Sequence, residues 1–153
     1  MIFGKRKRSI VRLLVVEDEP LVAFDTEYLL REQDYEIVAT VDRVAHALTI
    51  LNEASDIHLV LADLGLADGS GLEVARVAVE HGVPVMFVTG HCPPEAEGMA
   101  MGCLIKPYAP RDLLAAIRVI EDVCEGERPR KLPSGFRLFS RDLPGKADSA
   151  ASG

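Results

Sequence analysis

"LLVVEDEP", residues 13–20, drives an aliphatic run straight into three consecutive carboxylates, Glu17, Asp18 and Glu19, and then into Pro20. The run is apolar on both faces, which suits a strand of a sheet covered by helices on each side. A segment built for burial that ends in a knot of like charge needs something to hold that charge in place.

Working outward, the same kind of run recurs. Residues 9–16, 35–41, 57–62, 84–89 and 103–106 are short, rich in aliphatic or β-branched residues, and bounded by charge, Gly or Pro. Helical rhythms lie between them. Residues 20–33 carry Leu21, Phe24, Tyr28 and Leu29 at helical spacing, and residues 44–54 carry Val44, Ala47, Leu48 and Leu51. Residues 70–82 open on Ser70 as an N-cap, with Glu73 three residues on, and stop at Gly82. Residues 110–126 present Leu113, Ile117, Ile120 and Cys124 on one stripe before Gly126. Between the fourth and fifth strands, Pro93, Pro94 and Gly98 leave room only for a short, mobile helical segment. Strict alternation of strand and helix predicts a parallel sheet with right-handed crossovers, here five strands in a doubly wound three-layer sandwich.

Bulk properties narrow the function. The chain of 153 residues, 48% hydrophobic, is the size of one domain with a real core. Its formal charge of −7 argues against a broad nucleic-acid footprint. Cys92, Cys103 and Cys124 form no CxxC pair and are odd in number, the pattern of a reduced cytoplasmic chain with buried or half-buried thiols. The basic start followed by an apolar run is like a signal peptide, but the run breaks at Glu17 without a small-residue cleavage site. Apolar runs are all too short to span a membrane.

In a doubly wound sheet, ligands bind beyond the carboxyl ends of the strands. A nucleotide-binding loop there would be glycine-rich; this one presents Glu17 and Asp18, which repel a bare phosphate. Taken singly, either residue serves equally as the cap of the helix that starts at Pro20. Together with Asp63, which ends the third strand in "LVLADLGLADGSG", they form a set of hard oxygen donors suited to Mg²⁺ or another divalent cation. Thr89 ends the fourth strand and Lys106, followed by Pro107, ends the fifth. The groups are complementary: a carboxylate nucleophile, metal ligands, a charge-balancing ammonium and a hydroxyl donor. Asp68 reads as a turn residue.

"VVEDEP", Asp63 in "LADLGLADGSG", Thr89 in "VTG" and Lys106 in "IKPY" stand in the order and spacing of the response regulator receiver domain, which residues 10–124 resemble. "FVTGH" is further similar to the stand-alone alphaproteobacterial subgroup with a "FATGY"-like stretch. The resemblance implies a (βα)5 flavodoxin-like, CheY-like α/β fold and a cytoplasmic, phosphorylation-dependent signalling switch rather than an enzyme. It implies Asp63 as phosphoacceptor, and Mg²⁺ held by Glu17, Asp18, Asp63 and the Gly65 backbone carbonyl. Lys106 would pair with Asp63 and then with the phosphoryl group, and Thr89 would swing toward it, with Lys106–Pro107 a candidate cis bond. His91 is placed where family members tune phosphate lifetime, against the plainer reading of a loop residue. Cys103 stands where an aromatic usually reports phosphorylation, Ala67 where a proline is usual, which leaves its loop looser, and Glu17 where Asp is commoner. Implied partners are a sensor histidine kinase or histidine phosphotransfer protein and a downstream protein target, with neither nucleic acid nor membrane bound directly. A phosphorylation-linked homodimer stays open.

Two other readings compete. A phosphorylation-independent interaction domain would not need the full set of Asp18, Asp63, Thr89 and Lys106. A Mg²⁺-dependent aspartyl phosphohydrolase would want a second acid two residues after the nucleophile, where Gly65 stands. Residues 1–9 read as a basic N-terminal arm, and 125–153 as a flexible tail too short for a DNA-binding domain, within which "GFRLF" (135–139) either docks or stays loose.

Overall fold

The aliphatic run becomes β1 (Arg12–Val16), four of its five residues buried, in the computed structural model, which describes residues 8–129 and 131–139. The basic cluster at 5–7 and the tail beyond 139 lie outside the described residues. After β1 come α1 (Pro20–Glu32), β2 (Glu36–Val41), α2 (Val44–Glu53) and β3 (Leu59–Ala62). A two-stranded hairpin, β4 (Gly65–Leu66) and β5 (Gly69–Ser70), leads into α3 (Gly71–Glu80) and β6 (Val85–Thr89). A 3₁₀ turn (Pro94–Gly98), β7 (Gly102–Ile105), α4 (Pro110–Cys124) and β8 (Phe136–Leu138) complete the chain.

The main sheet runs β2-β1-β3-β6-β7-β8. Its first five strands are parallel, as expected from the alternation. The sixth, β8, is an addition to the expected five: it pairs antiparallel with β7, from within the stretch expected to be a flexible tail. The pleat sorts the core. Leu14, Val16, Val60, Ala62 and Phe87 pack on one face with Val44, Ala47 and Leu51 of α2 and Val74, Ala75 and Ala78 of α3. Leu13, Val15, Leu61, Met86 and Leu104 pack on the other with Leu30 of α1 and Leu113, Ile117 and Ile120 of α4. Cys124 is exposed instead of closing the α4 stripe.

The sequence correctly locates α1 but misjudges its rotation. Leu21, Phe24 and Tyr28 are 79%, 66% and 61% exposed, while Thr26 and Leu30 are buried, with Val22 and Leu29 half-buried beside them. Residues 22, 26, 29 and 30 also fall at helical spacing, one or two positions along from the expected set, so periodicity alone does not choose between them.

α1, α3 and α4 all close by the same double hydrogen bond. The amides of Asp34, Gly82 and Gly126, each at positive φ, donate to the carbonyls of Arg31, Val79 and Val123, and the following amides donate to Leu30, Ala78 and Asp122. Ser70 caps α3 as expected, its hydroxyl accepting the Leu72 amide at 3.0 Å. α2 has its cap supplied from a distance: Asp68 accepts the Val44 and Ala45 amides at 2.6 and 3.1 Å. The loop expected to be loose at Ala67 is therefore a hairpin tied to α2.

Candidate functional site

The strand ends bring the charged residues together. Parallel pairing of β1 with β3 aligns Val16 with Ala62, so Glu17 and Asp18 emerge beside Asp63; the Asp63 amide donates to the Val16 carbonyl at 3.0 Å. Oxygens of Glu17, Asp18 and Asp63 lie within 4.8 Å of one another. From the other side, pairing of β6 with β7 places Thr89 opposite Ile105, and the Lys106 amide donates to the Thr89 carbonyl at 2.9 Å. The Lys106–Pro107 bond is cis, and the Lys106 ammonium donates to both Glu17 Oε1 and Asp63 Oδ2 at 2.9 Å. Glu19, unassigned in the sequence reading, adds a longer contact to Lys106 at 3.7 Å.

Burial sets the electrostatics. Desolvation pushes the Glu17 carboxyl above its ordinary value; the Lys106 hydrogen bond and charge and the Glu19 amide offset this only in part, and the nearby Asp63 charge adds to the rise. Desolvation acts against the Lys106 ammonium too, but its bonds to Asp63 and Glu17 outweigh it and raise its pKa. The carboxylates of Glu17, Asp18 and Asp63 outnumber the one ammonium, and the excess of two negative charges is that of one divalent cation. All-oxygen donors, partly open to solvent, fit Mg²⁺ with several waters retained.

Gly71 holds Asp63 in place, a role the sequence alone does not show. A Cβ at Gly71 would overlap the Asp63 carbonyl, and the Gly71 amide closes on the Leu64 carbonyl at 2.8 Å. Thr26 of α1 and Tyr108 after β7 line the floor below the acidic group together with Val88 and Leu113. Thr89 is buried at the end of β6. His91, two residues on, is exposed, and Gly65 reaches the site through its amide, 3.4 Å from Asp63 Oδ1. Cys103 is fully buried in β7, its thiol pushed up by burial and by the neighbouring Cys92 thiol.

Residues 13–118, spanning β1 through most of α4, match the response regulator receiver domain family. The chain belongs to that family. Among relatives of this receiver domain, the phyllosphere-induced regulator PhyR of Methylorubrum extorquens is 35% identical over 112 residues, covering 69% of this chain and 41% of that protein. The transcriptional regulatory protein PdtaR of Mycobacterium tuberculosis is 29% identical over 117 residues, 71% of this chain and 55% of that one. The chain thus spans about half the length of the curated relatives it matches. A CheY-like receiver domain protein from Methanospirillum hungatei superposes with a TM-score of 0.68 at 27% identity, over 76% of this chain and 98% of that one. Receiver domains are phosphorylation-dependent signalling modules of two-component systems, and they typically bind Mg²⁺ at an acidic pocket such as the one formed here.

Proposed function

We propose that Asp63 accepts a phosphoryl group from a phosphohistidine on a sensor histidine kinase or histidine phosphotransfer protein. The carrying observation is the convergence of Glu17, Asp18 and Asp63 within 4.8 Å, with Lys106 bridging two of them at 2.9 Å. An Asp63 oxygen attacks phosphorus, the P–N bond breaks with its electron pair going to the imidazole, and an acyl phosphate forms. Such transfer depends on positioning and charge neutralisation more than on covalent chemistry. Glu17, Asp18, Asp63 and the Gly65 carbonyl would hold Mg²⁺, which when bound neutralises charge on the transferring oxygens. Lys106 exchanges a carboxylate partner for a phosphoryl oxygen, and Thr89 moves toward the same group with the segment behind it, including His91.

The exposed apolar stripe of Leu21, Phe24 and Tyr28 lies on α1, the helix that begins directly after Glu19, and supplies a surface on which the phosphodonor docks. Output runs through protein contact in the cytoplasm. The acidic balance gives no support to direct nucleic-acid binding, and no helix among the described residues is long and apolar enough to cross a membrane.

Acetyl phosphate with Mg²⁺ tests the reading. Wild-type protein should gain one phosphoryl mass and shift the NMR resonances of residues 89–106, and Asp63→Asn should do neither. Equal behaviour of the two proteins contradicts the assignment.

A further inference from the structure

β8 is fastened to both segments that lead out of the candidate site. On one side, β7 ends at Ile105 beside Lys106, and the Ile105 amide donates to the Gly135 carbonyl at 2.9 Å. On the other, Arg137 pairs with Glu97 at 2.8 Å, and Glu97 lies in the 3₁₀ turn that follows Thr89. The Phe139 amide donates to the Met101 carbonyl at 3.0 Å, at the junction between that turn and β7. Aromatic side chains complete the grip. Phe136 occupies the space left by the missing side chain of Gly102, and Phe139 joins the core cluster of Cys103, Ala96 and Ala100. The Phe139 ring, one residue past β8, thus joins the same core cluster as Cys103 of β7 and Phe87 of β6.

The grip is weak enough to open. β8 has three residues, and Arg137 and Glu97 are both exposed, so their pairing is modest. Burying two rings is offset by the entropy of ordering the strand, which places β8 among the least stable parts of the fold.

We propose that β8 is the output element of the switch. On the reading of Asp63 as phosphoacceptor, the new phosphoryl group draws Thr89 and Lys106 inward. The 3₁₀ turn and the end of β7 follow, the bonds to Arg137 and Gly135 are lost, and β8 leaves the β7 edge uncovered. Coupling of this kind is reciprocal, so loosening β8 disturbs Thr89 and Lys106 in turn.

Amide hydrogen exchange on the full chain tests this, with mass spectrometry reporting phosphoryl occupancy after treatment with acetyl phosphate and Mg²⁺. The Phe139 and Ile105 amides should exchange about tenfold faster in phosphorylated protein while those of β1 are unchanged. Unchanged or slower exchange in protein of confirmed occupancy overturns the proposal. A second arm needs no phosphate: Arg137→Gln should speed exchange at Phe139 and shift the Thr89 and Lys106 resonances. If exchange at Phe139 does not change, or if β8 loosens while those resonances stay in place, the strand and the site do not communicate and the proposal fails. Absence of phosphoryl mass rejects the acceptor reading instead, and Arg137→Gln then decides the coupling alone.

Discussion

At Gly71 the absence of a side chain is a structural requirement, because a methyl group there meets the backbone of Asp63 and Leu64. Gly71→Ala should therefore cost about 1–3 kcal/mol of stability by overpacking, read from the urea midpoint, and should slow Asp63 labelling by moving its carbonyl. Asp68 makes a different demand. Desolvation pushes its carboxyl up, but the amides of Ala45, Val44 and Asp68 itself, with the Arg43 charge, outweigh that and hold it below its ordinary value of 3.8. A depressed carboxyl contributes stability that is complete above that ordinary value and is lost as pH falls through the lower folded value. The protection factors of the Val44 and Ala45 amides, observed exchange corrected for the intrinsic rate at each pH, should fall on acidification from about pH 5 to pH 3, and Asp68→Asn should flatten the dependence. The residues legible in the sequence, Glu17, Asp18, Asp63, Thr89 and Lys106, share one property: each stands where an apolar run stops. Gly71 and Asp68 were not legible in these roles, since one meets a backbone atom eight positions earlier and the other caps a helix that starts 24 positions earlier.

The closure of α1 singles out one residue. α3 and α4 use glycine at the positive-φ position, and α1 uses Asp34 at φ 67°. An L side chain in that region carries a penalty that glycine avoids. Asp34→Gly should stabilise the protein by about 0.5–1 kcal/mol in a denaturant titration without affecting phosphoryl uptake. Gly82 and Gly126 made the ends of α3 and α4 easy to read, and strand positions followed equally well from aliphatic runs bounded by charge. Rotation of α1 was harder. Apolar residues at 21–24 and 28–30 wrap most of the helix, and the buried face includes Thr26, a polar residue that no hydrophobic pattern selects.

β8 changes what the whole molecule is. Five parallel strands were legible because each is a short aliphatic run followed by a helical rhythm or, after β6, by a short proline-bounded turn; the sixth was not, because its three residues alternate too briefly to register as periodic. Its seat is defined by a gap on β7. A Cβ at Gly102 would overlap the Phe136 ring and crowd the Arg137 carbonyl. Gly102→Ala should therefore expel residues 135–139, costing about 1–3 kcal/mol and removing the exchange protection of the Phe139 amide. Retained protection there would contradict the fit. Phe136 and Phe139 sit in the clusters on opposite faces of the sheet, so the terminal segment pinches the sheet edge from both sides. Chain length therefore matters unequally along the C-terminus. Extra residues spliced into 127–133 only lengthen a tether, whereas one residue inserted between 136 and 139 inverts the odd–even order and leaves one of the two rings facing the wrong layer.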